Sequence, residues 1–280
     1  MGNNKVWFIT GASKGLGLEL AKKLLAEGFK VAATSRSEEA LIKVLGNSSE
    51  NFLPLEMDLV DENSVKNAIE KTVSHFKTID VLVNNAGYGL LGALEELTDA
   101  ESRKNFEVNV FGLLNVIRNT MPILRANKSG HIFNISSVGG YVGNFPGWGI
   151  YCSTKFAVAG LTESLSAEVK EFGVHATIVY PGYFRTDFLK DSSLLLPENP
   201  IVAYKEVRQS ENAHKDSINE NQPGDPEKLA SALIKVSQDE NPPLHLFLGE
   251  DAYNMANQKI TSVQDELGKW KEVSVGTNFN

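Results

Sequence analysis

Tyr151 and Lys155 stand four residues apart, so one helix would present both side chains on one face. A tyrosine with a pKa near ~10 is a poor acid or base at neutral pH. A lysine ammonium within a few ångströms favours the phenolate and would lower that pKa toward a useful range. A second cluster, Thr10-Gly11-Ala12-Ser13-Lys14-Gly15-Leu16-Gly17, lies between an apolar run and a helical pattern. There Gly11 allows a tight turn, Gly15 lets backbone amides approach a phosphate, and Gly17 permits close helix–strand packing. The helix amino end would face a pyrophosphate with its partial positive charge. An NAD site usually carries an acidic residue about 20 positions beyond such a loop, whereas an arginine accommodates a 2′-phosphate. This chain has Ser35-Arg36 at that place and no carboxylate until Glu38, and Lys14 adds a second cation. The residues therefore predict NADP (NADPH) in preference to NAD.

The elements that must position these groups follow from hydrophobic patterning. Lys5–Thr10, Lys30–Thr34, Phe52–Met57, Ile79–Val83, His131–Ile135, His175–Tyr180 and Leu244–Leu248 read as strands. Helical spacing falls between them: Leu16–Leu25, Ser64–Phe76, Phe106–Leu124, Tyr151–Phe172 and Pro226–Ser237. This alternation predicts an α/β, Rossmann-like doubly wound fold, with a mostly parallel seven-stranded sheet and helices on both faces. Residues 184–226 break the pattern and read as a lid or binding loop inside a single 1–280 domain, with a helical tail over 250–280. A formal net charge of −8 argues against nonspecific nucleic-acid binding. No apolar run reaches the ~20 residues of a membrane span, and a single cysteine suggests a reducing compartment, so a cytoplasmic protein is expected.

Four motifs in this order resemble the short-chain dehydrogenase/reductase family. They are the glycine loop, Asn84-Asn85-Ala86-Gly87 after the fourth strand with Asn109 in a helix, Tyr151-Cys152-Ser153-Thr154-Lys155 after a strand-end serine, and Pro181-Gly182 closing the sixth strand. The resemblance runs from about Lys5 to Thr186. It implies that Ser137 steadies the charge developing on the substrate oxygen. It further implies that Asn109 anchors a water joining Lys155 to solvent, and that Lys155 also binds the nicotinamide ribose. By the same resemblance Asp58 and Leu59 meet the adenine, and Asn85, Ala86 and Gly87 line its ribose. The Pro181, Gly182 and Phe184 backbone, with Thr186, would hold the nicotinamide carboxamide. The implied reaction interconverts a carbonyl and an alcohol on a small molecule by hydride transfer, with Tyr151 passing the proton and no metal.

One departure is visible. Ser137 and Tyr151 are one residue further apart than is usual in the family, which places an extra residue near Phe145-Pro146-Gly147. Choosing Ser136 would widen the gap further. The substrate walls read from the sequence are Tyr88, Tyr141, Phe145, Trp148, Tyr183, Phe184, Phe188 and the leucines of 189–196, which favour a lipophilic compound. The stretch around Tyr151 looks closest to the steroid- and retinol-dehydrogenase-like branch. A catalytically silent NADP-binding sensor of the same fold is the alternative; its usual sign, a missing tyrosine or lysine, is lacking. Pairing through helices over 103–126 and 151–172 would give a homodimer or homotetramer.

Overall fold

Val6–Ile9 buries all four of its side chains, so this strand needs cover on both faces. The computed structural model, which describes residues 4–190 and 192–279, supplies it. In chain order the elements are β1 (Val6–Ile9), α1 (Gly15–Ala26), β2 (Lys30–Ser35), α2 (Glu38–Leu45), β3 (Phe52–Glu56), α3 (Glu62–Phe76), β4 (Val81–Asn84) and β5 (Gly89–Leu90). There follow α4 (Asp99–Phe106), α5 (Leu113–Asn127), β6 (Gly130–Ile135), α6 (Gly149–Val169), β7 (Val174–Pro181) and β8 (Leu194–Leu195). The remainder is α7 (Lys205–Asn212), α8 (Pro226–Val236), β9 (His245–Leu248), α9 (Glu250–Lys269) and α10 (Lys271–Val275).

Seven strands form one parallel sheet in the order β3-β2-β1-β4-β6-β7-β9. The chain winds outward from β1 to β3, then returns to β4 and winds the other way. Trp7 accordingly pairs with Val31 on one side and Val81 on the other. That reversal opens a crevice at the carboxyl ends of β1 and β4, where ligands bind in such folds. One core layer gathers Phe8, Leu82, Val116 and Val158; the other gathers Trp7, Leu24, Phe133 and Leu233.

Three details depart from the reading by pattern. Helix α2 was not foreseen; Ser37 caps it by accepting from the Ala40 amide, and Leu41 is its only buried residue. The helix expected over 106–124 is two helices. Thr98 and Glu101 form a capping box that starts α4 at Asp99, and a π-helical turn over Glu107–Gly112 joins it to α5. Residues 184–226 also carry structure: a 3₁₀ turn (Asp187–Leu189), β8 paired in parallel with β5, α7, and a second π turn (Ala213–Ile218). Leu189 and Leu194 are buried against Trp148, Tyr151 and Val207, so the segment's leucines pack over the carboxyl edge of the sheet.

Candidate active site

Helix α6 carries Tyr151 and Lys155, both buried, one turn apart. Lys155 Nζ donates to the Ile135 carbonyl at the end of β6 (2.9 Å) and stands 5.8 Å from the centroid of the Tyr151 ring. Burial holds the Tyr151 phenol above its ordinary pKa, with a hydrogen bond to Ser137 opposing it, and pulls the Lys155 ammonium down to about 8. The sequence-based expectation was the reverse, a phenol drawn down by the lysine. Loss of water around the tyrosine is the largest cause of its shift, and the same burial is what lowers the lysine.

Two adjacent serines end β6, and the structure separates them. Ser136 is buried and donates to the Lys155 carbonyl (2.8 Å), tying the strand to α6. Ser137 is half-buried on the cavity wall, accepts the Gly139 amide (3.0 Å) and reaches Tyr151. Residues 145–148, where the sequence reading put an extra residue, form a turn closed by the Trp148 amide on Phe145 O (3.1 Å). Gly147 there has φ +83°, and a Cβ would lie 2.9 Å from Val207 of α7, so only glycine lets the turn approach the 184–226 segment.

Asn109 sits in the π turn, where the Leu113 amide donates to Val110 O and the helical register slips. Its Nδ2 donates to Tyr88 O (3.0 Å) and Thr154 Oγ1 (3.1 Å), and its Oδ1 accepts the Tyr88 amide (3.1 Å). The side chain thus clamps the Asn84–Tyr88 loop against α6, beside Lys155. A Cβ on Gly87 would stand 3.0 Å from Asn109 Oδ1 and 3.6 Å from Lys155 Nζ.

The glycine loop has the shape of a phosphate cradle. Gly11 and Gly15 adopt φ +68° and +60°, and a Cβ at Gly17 would meet Gly11 O at 2.6 Å. Asn85 Nδ2 donates to Thr10 O (3.0 Å) and Gly11 O (2.9 Å), while Thr10 Oγ1 accepts the amides of Asn85 and Ala86 (3.0 Å each). Helix α1 begins with no side-chain cap and no acidic residue in its first turn, leaving its amides for an anion. Arg36 and Lys14 are both exposed at the mouth, and neither has an ion-pair partner among the described residues. Burial and then the Arg36 charge lower the Lys14 pKa, while Lys14 Nζ donates to Ser192 O (2.9 Å). Ser35 Oγ donates to Ser13 Oγ (3.2 Å), and Leu16 lines the same wall.

Asp58 and Leu59 border the crevice; one Asp58 oxygen accepts the Val60 amide (3.1 Å). Pro181, Gly182, Phe184 and Thr186 border it across from them. Sequence reasoning missed what positions this edge. Asp251 at the start of α9 accepts the Tyr183 amide (2.7 Å), and a Cβ on Gly182 would collide with its carboxylate. Nothing local marks Asp251; only the return of the chain beyond β9 brings it there.

The glycine loop at Gly11 and Gly15, Ser137, Tyr151, Lys155 and the Pro181–Thr186 edge share one cavity of about 600 Å³. Tyr88, Phe145, Trp148, Tyr183, Phe184 and Phe188 line it as read from the sequence, with Leu189 and Leu195. Tyr141 does not: its ring packs edge-on against Tyr180 (5.7 Å) and Phe247 (5.1 Å), behind the 3₁₀ turn that follows Ser137. Cys152, His214 and Gln222 line the cavity unforeseen, the Cys152 thiol pushed up to about 11 by burial. Among the described residues no group of three potential metal ligands converges.

A family model described as short chain dehydrogenase matches residues 5–194. The chain is 36% identical over 282 residues to oxidoreductase BOA17 of Botryotinia fuckeliana, covering 98% of this chain and 99% of that protein. It is 35% identical over 250 residues to 3-ketodihydrosphingosine reductase of Bacteroides thetaiotaomicron, covering 88% of each. Among solved structures, a short-chain dehydrogenase from Streptomyces avermitilis superimposes with a TM-score of 0.89 at 37% identity, over 98% of this chain and 100% of that one. Two others at 25% identity and TM-score 0.73 were solved with cofactor. A Burkholderia cenocepacia short chain dehydrogenase (96% of this chain, 98% of that one) is in complex with NADP. A Brucella melitensis 3-ketoacyl-(acyl-carrier-protein) reductase (87% and 96%) is complexed with NADH.

Proposed function

The chain belongs to the short-chain dehydrogenase family of oxidoreductases, and we propose that within it this protein is an NADPH-dependent reductase of a lipophilic carbonyl compound. The observation that carries the reading is the convergence of Tyr151, Ser137 and Lys155 on one cavity with the glycine loop at its mouth. The cradle of Gly11, Gly15 and Gly17 and the uncapped start of α1 fit the pyrophosphate of a nicotinamide dinucleotide. Arg36 and Lys14, two cations at the end of β2 and in the loop with no ion pair among the described residues, fit a 2′-phosphate and support NADP over NAD. Asp58 and Leu59 would border the adenine, Asn85 to Gly87 its ribose, and the Pro181–Thr186 edge the nicotinamide.

When bound, the cofactor supplies the hydride. Tyr151, protonated throughout the neutral range because burial raises its pKa, donates its phenolic proton to the substrate oxygen. Ser137 donates a hydrogen bond to the same oxygen and steadies its charge. Lys155, with its proton held at a pKa of about 8, is suited to reload the phenol, and Asn109 holds the Tyr88 loop and α6 in register for that relay. We read 1–280 as one domain whose 184–226 segment is a lid over the substrate, in a cytoplasmic homo-oligomer pairing through exposed Phe111 and Phe156 on the helices flanking the site.

The test is reduced-cofactor oxidation across aliphatic, aromatic, steroid and quinone carbonyls, with NADPH and NADH side by side. Turnover that prefers NADPH and falls at least about 10²-fold in Tyr151→Phe supports the reading. Turnover surviving in Tyr151→Phe overturns the assignment of the proton donor.

A further inference from the structure

The cavity that holds Tyr151 is also lined by a set of polar groups that proton transfer does not use. His214 lies in the π turn after α7, buried, with Nδ1 2.7 Å from the Ser210 carbonyl. A carbonyl only accepts, so Nδ1 carries the ring proton and Nε2 is left as an acceptor. Burial keeps the imidazole below its ordinary pKa, which maintains that neutral tautomer at neutral pH. Tyr183 Oη lies 3.0 Å from His214 Nε2, so the phenolic proton is committed to the imidazole. What Tyr183 still offers the cavity is lone pairs.

Gln222 lines the same cavity. The 222–224 backbone runs beside Tyr183–Arg185, joined by the Gly224 amide to Tyr183 O (2.9 Å), the Arg185 amide to Gly224 O (2.9 Å) and Arg185 Nη2 to Gln222 O (3.2 Å). The Gln222 side chain is 2% exposed, and its Oε1 has no hydrogen-bond partner among the described residues. Trp148, whose ring touches both Tyr151 (5.4 Å) and His214 (4.9 Å), has a buried Nε1–H that is likewise unpartnered among them. An unpaired buried donor or acceptor is destabilising, so a group that satisfies both kinds is rewarded there.

We propose that Trp148, Tyr183 and Gln222, with His214 setting the direction of the Tyr183 hydrogen bond, form a subsite for a hydroxyl group of the substrate separate from the carbonyl that reacts. A hydroxyl donates to Tyr183 Oη or Gln222 Oε1 and accepts from Trp148 Nε1. An ether can only accept, and an alkyl group does neither. The inference rests on the reductase reading and narrows it to hydroxylated lipophilic ketones.

The test is a ladder of ω-hydroxyalkyl phenyl ketones of increasing length, each beside its methyl ether. Binding to the chain is measured by calorimetry with and without NADP+, and NADPH oxidation is followed on the same compounds. At the length that spans the cavity the alcohol is expected to bind about tenfold more tightly than its ether. Tyr183→Phe, which keeps the ring, is expected to bring that ratio near one. His214→Phe frees the Tyr183 proton and is expected to turn the preference toward the ether. Equal binding of alcohol and ether at every length, no binding by any of them, or a ratio that survives in both Tyr183→Phe and Gln222→Leu overturns the subsite. Failure of every ketone to oxidise NADPH overturns the reductase reading instead, while the binding ratio still decides the subsite.

Discussion

Tyr151 and Lys155 respond to burial in opposite senses, and this sets which of them governs the pH dependence. The phenol stays protonated because its charged form is the anion; the lysine gives up its proton near pH 8 because its charged form is the cation. In the reductive direction Tyr151 is then ready at every working pH, and reloading fails first as pH rises through about 8. The reductive kcat/KM is expected to be flat below that point and to fall above it, and Lys155→Arg, whose guanidinium does not give up its proton, is expected to lose most of the turnover at every pH. A profile flat to the onset of alkaline unfolding would remove Lys155 from the relay. Arg36 permits an equally local test. Arg36→Ala is expected to weaken NADPH about tenfold or more while leaving NADH nearly unchanged, as the loss of one charge-assisted bond to a phosphate requires. Comparable losses for both cofactors would mean that Arg36 does not meet the 2′-phosphate. These residues were legible in the sequence because their spacing is short and their chemistry local: Tyr151 with Lys155, and Arg36 with the glycine loop. The Tyr151 pKa was not, because part of its cover comes from Phe188 and Leu189, brought over it from a distant part of the chain.

Among the elements, the 184–226 segment is held by a contact with no sequence signature. The Glu96 side chain is fully buried and accepts from the Ala93 amide (2.7 Å), the Ile201 amide (2.6 Å) and Arg208 Nη2 of α7 (2.8 Å). One carboxylate therefore joins the loop before α4 to two points in the middle of the 184–226 segment, and α7 leads directly into the turn carrying His214. Arg208→Met keeps the stem length but removes the charge, leaving Glu96 with its two backbone donors. It is expected to raise KM for the carbonyl several-fold and to speed proteolysis within 198–220, with NADPH affinity unchanged, because none of these groups borders the glycine loop. A fall in NADPH affinity of the same size would show that the segment supports the whole crevice and is not a separate lid. The prolines and polar run of this stretch marked it as irregular, yet β8, α7 and the π turn were hidden. Their apolar residues face a cavity wall and not a continuous core, so neither period two nor period 3.6 is sustained.

At the scale of the molecule, α9 changes character along its length. Its first turns bury Ala252 and Ala256 and place Asp251 under the Tyr183 amide, whereas every described residue from Asn257 onward is exposed. That exposed half still carries Ile260, Val263, Leu267 and Trp270 at spacings of three and four, one apolar stripe along a helix. The sequence pattern showed weak helical spacing there, but it could not show that the helix leaves the sheet after Ala256, since periodicity reports a face and not what covers it. Two shortened chains separate the halves. Ending at Asn257 is expected to preserve the melting temperature and NADPH affinity, because the removed residues touch little of the remaining structure. Ending at Gly249 removes Asp251 and is expected to weaken NADPH, by releasing the Gly182–Tyr183 edge proposed to meet the nicotinamide. If the longer of the two chains also falls in mass by light scattering relative to the full protein, self-association runs through the tail stripe. An unchanged mass above that of one chain leaves the proposed pairing to Phe111 in the π turn and Phe156 on α6, and the mass of a single chain overturns it.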